Sequence, residues 1–146
     1  MYNDAPKSFM QNYGTIIVNN PNNFSWGMKV CGTATSTNES SGTIELKSSG
    51  QGMVCDRGGS SFNNGTITTE KDAKGAEGMG AGINGQITNN ANIVINSDDS
   101  FGMFANGNNS TAINVIGGTI TISKQVEQQL CTLLELGQLS KTLEPL

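Results

Sequence analysis

The sequence contains no histidine, and only 14% of its 146 residues are charged. Without histidine the chain lacks the usual general base, the commonest metal ligand and any Ser/His or Cys/His nucleophilic pair. The net charge is −4, and the eight lysines and arginines are scattered. Nucleic-acid binding depends on clustered cations that neutralise phosphates. The composition therefore disfavours most enzymatic mechanisms and argues against a nucleic-acid partner.

Long apolar runs are also missing. No stretch approaches the roughly 20 residues that a membrane-spanning helix needs, so we expect no membrane span in this chain. Residues 1–12 lack the apolar stretch of a signal peptide, and we expect them to form a separate N-terminal segment. The three cysteines fit no zinc spacing. We therefore predict neither a metal site nor a cofactor.

Two short motifs recur with one period. The first is a glycine-led triplet, found as Gly14-Thr15-Ile16, Gly42-Thr43-Ile44, Gly65-Thr66-Ile67, a degenerate Ala91-Asn92-Ile93 and Gly118-Thr119-Ile120. The second motif lies between successive triplets, as Gly27-Met28, Gly52-Met53, Gly78-Met79 and Gly102-Met103. Two interleaved series with a common spacing indicate a repeated structural unit.

Within each unit the apolar residues alternate as in short β-strands. Ile44 and Leu46 follow one triplet at period two, which predicts a strand with one buried face. Met28 and Val30 show the same alternation after Gly-Met. A weaker third strand is indicated by pairs such as Ile83 with Ile87 or Ile113 with Val115. Three strands in about 25 residues match one coil of a parallel β-helix, so residues 13–123 are predicted to be an all-β solenoid of about four to five coils.

The last segment has a different pattern. From residue 124 onward glycine and asparagine become scarce, and Val126, Leu130, Leu133 and Leu134 fall on one stripe of an amphipathic helix. We predict that residues 124–146 form an α-helical cap over the open end of the solenoid. The alternative is a helix that pairs with its copy in an oligomer.

The repeated units also resemble a known family. Asn64-Gly65-Thr66-Ile67 and the Gly-Met units are similar to the passenger repeats of Gram-negative autotransporter adhesins, over roughly residues 13–123. The resemblance implies a single-stranded right-handed parallel β-helix, extracellular or on the bacterial outer-membrane surface. It further implies an adhesin or structural passenger fragment that binds a host or bacterial surface protein or glycan through a solenoid face. The alternative is a carbohydrate-active β-helix enzyme, either a polysaccharide lyase or a tailspike-like glycosidase.

Two groups of residues are candidates for ligand binding. Trp26, Phe24 and Phe101 lie near the Gly-Met segments and could stack on a sugar, although aromatic rings also serve to fill a corner. Acidic residues recur in one loop position of successive coils, chiefly Asp72 in one and Asp98 with Asp99 in the next. Stacked carboxylates can bind calcium or act as an acid and base pair, while solvated loops are the simpler interpretation. We expect these six residues to contact ligand without catalysing a reaction.

The cysteines test the proposed strand register. Cys55 follows Met53 by two residues and should point inward, whereas Cys31 follows Met28 by three and should point outward or enter the turn. Equivalent positions of neighbouring coils lie close together and inequivalent ones do not. We therefore expect free thiols in place of a Cys31–Cys55 disulfide.

Overall fold

The computed structural model describes residues 1–22 and 24–123. In these residues fifteen short strands wind through five coils, and each coil contributes one strand to each of three parallel sheets. Sheet A contains β1 (Tyr2–Asn3), β4 (Ser25–Cys31), β7 (Gly50–Asp56), β10 (Glu77–Ala81) and β13 (Phe101–Ala105). Sheet B contains β2 (Phe9–Asn12), β5 (Thr35–Asn38), β8 (Ser60–Asn63), β11 (Gln86–Asn89) and β14 (Thr111–Asn114). Sheet C contains β3 (Thr15–Val18), β6 (Thr43–Leu46), β9 (Thr66–Thr69), β12 (Asn92–Ile95) and β15 (Thr119–Ile122).

The parallel β-solenoid predicted from the two motifs is confirmed, and its core follows from their alternation. The methionines of the Gly-Met units form one inward column on sheet A, namely Met28, Met53, Met79 and Met103. The triplet isoleucines form a second column on sheet C, in which Ile44, Ile67 and Ile93 are fully buried. Each such side chain contributes about 1.5–3 kcal/mol when it leaves water. Stacking equivalent residues thus builds a continuous core.

The glycine of each Gly-Met unit is required by close contact between coils. A β-carbon at Gly52 would lie 2.6 Å from the carbonyl oxygen of Gly78 in the next coil and 2.9 Å from Cγ2 of Ile67. Both distances are far below van der Waals contact. Any larger residue would separate the coils, which accounts for the regular return of glycine before methionine.

A ladder of asparagines closes the corner between sheets B and C. It comprises Asn12, Asn38, Asn63, Asn89 and Asn114, and each of the first four donates from Nδ2 to Oδ1 of the next at 2.7–2.9 Å. Asn63 Nδ2 also donates to the carbonyl oxygen of Asn92 at 3.2 Å. The amides of the first four are buried and need partners, whereas Asn114 at the end of the ladder is exposed. The ladder therefore holds successive coils in register where the chain turns.

The solenoid begins earlier than residue 13. Residues 1–12, expected as a separate segment, carry β1 and β2, which pair with β4 and β5 of the second coil. Asn12 is the first member of the asparagine ladder. The first two strands of the first coil thus come from residues before the first triplet, where no Gly-Met unit marks them.

The third strand predicted from the pairs Ile83 with Ile87 and Ile113 with Val115 is wrong in part. Ile87 is fully buried on β11, but Ile83 is 52% exposed in the preceding turn. On β14 the residue aligned with Ile87 is Ala112, and Ile113 faces outward beside Thr88. The expectation failed because sheet B has a weakly apolar inner column that includes Ser36 and Ser61, so hydrophobicity alone did not fix its register.

Both cysteines of the solenoid are free thiols, as expected from their inequivalent positions. Cys55 is fully buried and is aligned with Val30, whereas Cys31 is aligned with Asp56. Cys31 is nevertheless buried and not turned to solvent, which corrects the expectation. It interacts with Tyr2 on β1, and the sequence motifs did not predict that strand. The predicted helical cap at 124–146 lies outside the described residues.

Candidate functional site

The outer face of sheet A carries two columns of outward side chains that flank the Gly-Met units. The residue before each glycine forms one column, which contains Trp26, Gln51, Glu77 and Phe101. The residue after each methionine forms the other, which contains Lys29, Val54, Gly80 and Phe104 and is preceded by Tyr2 of the first coil. None of these side chains belongs to the core cluster, although Val54 is only 8% exposed, and their chemistry differs from coil to coil.

A chain of hydrogen bonds runs along the first column. The indole Nε1 of Trp26 donates to Oε1 of Gln51 at 2.8 Å, and Nε2 of Gln51 donates to a carboxylate oxygen of Glu77. The ammonium of Lys29 lies 4.0 Å from the centre of the Trp26 ring, where a cation–π contact is favourable. Both ends of the Gln51 amide are therefore oriented by neighbouring coils.

The Glu77 carboxyl group is partly withdrawn from water. Burial raises its pKa above the usual value, and the hydrogen bond from Gln51 opposes that shift in part. The carboxyl group consequently favours its neutral form more than an exposed glutamate does. It can either accept a hydrogen bond or, when protonated, donate one.

An open groove of about 340 Å³ lies between the outward side chains of sheet A. It is lined by Lys29, Gln51, Val54, Asp56, Gly80, Ala81, Gly82, Ile83, Phe104 and Asn106. Gly80 leaves a gap in the second column, into which the ends of neighbouring side chains lean. A β-carbon there would lie 3.0 Å from Nε2 of Gln51 and 3.4 Å from a carboxylate oxygen of Glu77. The missing side chain thus brings polar groups over the groove floor.

Aromatic rings stand at one end of the groove. Phe104 lines it directly, and its ring lies 5.8 Å from that of Phe101, measured between centroids, with the planes tilted by 39°. Such tilted pairs are favourable for aromatic rings. At the other end, Lys29 lies against Trp26. The groove therefore combines apolar rings with an amide, an ammonium and carboxyl groups, a mixture typical of small-ligand sites.

The structure separates the two predicted groups of ligand-binding residues. Trp26 and Phe101 share one outward column of sheet A, with Trp26 41% exposed. Phe24 is also exposed and lies in the loop just before β4. Trp26 and Phe24 are therefore not fillers of the corner.

The predicted acidic residues lie elsewhere, at the corner between sheets C and A. Asp72 and Asp99 are exposed and Asp98 is partly buried, and none of them lines the groove. The backbone N–H of Gly75 donates to the carbonyl oxygen of Asp98 at 3.1 Å, so the two loops stack through their backbones. Among the described residues no three His, Cys, Asp or Glu side chains are close enough together to hold a metal ion.

Sequence reasoning missed several residues of the groove. Lys29, Gln51 and Gly80 were not singled out. Lys29 and Gly80 each directly follow a Gly-Met unit, where alternation places side chains outward. Gln51 lies two residues before Met53, on the face that alternation would turn inward, so the pattern carried no signal for it. Only the lateral stacking of coils shows that these positions form one surface.

Comparison with known proteins places this fold in a family. Residues 1–92 match the family model described as the BigA third pectate lyase-like domain. No curated protein and no solved structure matches the chain. The matched range covers more than half of the sequence and includes the first three coils with most of the fourth. The chain belongs to the family of the BigA third pectate lyase-like domain.

Proposed function

We propose that this chain is a binding domain of a bacterial surface protein and that it holds its ligand on the outer face of sheet A. The observation that carries the proposal is the groove between Lys29 and Phe104, flanked by outward aromatic rings and oriented polar groups. Exposed aromatic side chains beside oriented polar groups are features of binding surfaces. The partner would be a surface protein or glycan of a host cell or of another bacterium.

The family supports a location outside the cell. BigA is a bacterial surface protein, and we extend that location to this chain as extracellular or outer-membrane surface. The described residues include no helix long and apolar enough to cross a membrane.

Direct binding to cells tests the proposal. The labelled chain should bind host or bacterial cells saturably, and a Trp26→Ala/Phe104→Ala double variant should bind about tenfold more weakly or worse, because large aromatic contacts dominate interfaces. A Thr66→Ala/Thr121→Ala variant alters the outer face of sheet C and serves as the matched control. Equal loss of binding in both variants, with both folded, would refute the placement on sheet A.

A second candidate function is polysaccharide cleavage, favoured by the pectate lyase-like description of the family. The carboxylates available for it are Asp72, Asp98 and Asp99. We expect no product when the chain is incubated with a panel of acidic and neutral polysaccharides. Product formation that is abolished by Asp98→Asn or Asp72→Asn alone would establish the enzyme and overturn the binding proposal.

A further inference from the structure

We infer that the groove on sheet A accepts an uncharged pyranose unit of a glycan in preference to an acidic sugar. This inference rests on the proposed function, since it specifies the ligand of the same face. It is carried by the shape of the groove and by the state of its charged groups.

The shape suits a sugar ring. Lys29 and Phe104 are separated by Val54 and Gly80 on successive strands, so the groove extends over three strand spacings, about 14 Å. Val54 and Gly80 provide a low floor, and the Phe104 ring provides an apolar wall. A pyranose has apolar C–H faces and a rim of hydroxyl groups, and it can therefore lie against the apolar surfaces while its hydroxyl groups reach the polar side chains.

The polar groups are placed to pair with hydroxyl groups. The Gln51 amide and the Glu77 carboxyl group lean over Gly80, and both retain capacity for further hydrogen bonds beyond the one they share. Asp56 lines the opposite part of the groove and accepts hydrogen bonds. Sugar hydroxyl groups both donate and accept, so they can satisfy all three.

The charges disfavour an anionic ligand. Lys29 is the one cationic side chain among the lining residues, and its ammonium lies against the Trp26 ring. Arg57 lies nearby in sequence, but its guanidinium faces Asp56, with Nε 3.7 Å from Oδ2. A uronate in the groove would meet the carboxylate of Asp56, which repels it, and the Glu77 carboxyl group beside Gly80 repels it as well whenever that group is ionised. A neutral sugar meets no such penalty.

Gly80 determines which ligand fits. A methyl group there would press on Gln51 and Glu77, whose flexible ends can move, so the fold should tolerate Gly80→Ala while the polar groups are displaced. A valine would fill the groove itself. The outward position of Thr68 on sheet C, where Thr68→Val keeps the side-chain size, supplies the control.

The test is calorimetric titration of the full chain with neutral oligosaccharides of glucose, mannose, galactose and N-acetylglucosamine, and with oligogalacturonate. We expect saturable binding of at least one neutral oligosaccharide and none of oligogalacturonate. Gly80→Val should weaken neutral binding about tenfold or more, Gly80→Ala less, and Thr68→Val not at all. If Gly80→Val fails to fold, Gly80→Ala and Phe104→Ala carry the comparison.

Two outcomes would overturn the inference. One is tighter binding of oligogalacturonate than of every neutral sugar, and the other is neutral binding that the Gly80 and Phe104 variants leave unchanged. A cell-binding experiment shows whether a negative sugar titration overturns the glycan inference alone or the proposed function as well. If cells still require Trp26 and Phe104 while no sugar binds, the glycan inference fails and the binding face stands; if neither cells nor sugars require these residues, both fail.

Discussion

The outer faces of sheets A and C are built on equally regular cores but differ in their outward side chains. Sheet C presents a level array in which Thr15, Thr43, Thr66, Asn92 and Thr119 form one column. Sheet A presents residues of unequal size, from Trp26 to Gly80, and therefore has a groove. The contrast shows that repetition builds the solenoid, whereas departures from repetition on sheet A create the groove.

The largest expected effect compares two neighbouring residues of β9. Ile67 is fully buried and Thr68 faces outward on sheet C, so Ile67→Asp must bury an unpaired charge and should unfold the domain. Thr68→Asp should leave it folded, at a small cost because it lies beside Glu45. Circular dichroism and thermal melting measure the difference. Equal melting of both variants with the parent would show the register of β9 to be wrong.

The asparagine ladder at the corner between sheets B and C provides the next largest effect. Asn63→Ala removes a buried amide and takes from Asn38 Nδ2 and Asn89 Oδ1 their shortest hydrogen bonds, for an expected loss of about 1–3 kcal/mol in the free energy of unfolding. Asn64 is only partly buried and its Oδ1 accepts an exposed hydrogen bond from Asn90 at 2.7 Å, so Asn64→Ala should change stability by less than about 0.5 kcal/mol. Urea unfolding measures both. Similar losses in the free energy of unfolding for the two variants would mean that burial of the ladder amides does not contribute to stability.

The inner side of sheet A can be probed through Cys55. Burial raises the pKa of its thiol from 9.0 to about 12, although hydrogen bonding with the backbone of Gln86 and the side chain of Ser61 opposes the shift in part. Because the thiolate is the reactive form, alkylation near pH 8 should be about a thousandfold slower in the native than in the urea-unfolded chain. Peptide mass spectrometry resolves each cysteine. Rapid native labelling of Cys55 would place it on the outer face.

The same thiol links stability to pH. The folded chain holds the Cys55 proton more tightly than the unfolded chain, so its stabilising contribution is complete below pH 9 and is lost as the pH rises towards 12. The wild type should therefore lose more stability than Cys55→Ala over that range. Parallel pH profiles of the two proteins would contradict the assigned burial.

The smallest effect compares glutamates on the two outer faces. Glu77 on sheet A has a raised pKa because of burial, so its charged form is penalised at pH 7 and Glu77→Gln should slightly stabilise the chain. That gain should vanish near or below pH 4.5, where the wild-type carboxyl group is itself protonated. Glu45 on sheet C pairs with Lys47 at 3.5 Å, so Glu45→Gln should cost up to about 1 kcal/mol. Melting temperatures that shift in the same direction for both variants at pH 7 would remove this distinction between the faces.

The sequence predicted the core better than the surface, for a physical reason. Met53 and Ile67 each stack against an identical residue of the neighbouring coil. This packing constraint produces a repeat that is visible in a single sequence. Trp26, Gln51 and Glu77 differ in chemistry, so no pattern links them until the coils are stacked. Strands β1 and β2 were missed because the first coil lacks the Gly-Met unit, and Tyr2 on β1 interacts with Cys31.

The binding face can be tested directly by blocking each face in turn. Ile83 is 52% exposed at the groove and Ile17 is 55% exposed on the outer face of sheet C. In a Cys131→Ser background, Ile83→Cys and Ile17→Cys can each be joined to a polyethylene glycol maleimide under native conditions, since the remaining cysteines Cys31 and Cys55 are buried. Cell binding should be lost in the Ile83→Cys conjugate and retained in the Ile17→Cys conjugate. Retention in the Ile83→Cys conjugate with loss in the Ile17→Cys conjugate would contradict the assignment of the ligand to sheet A.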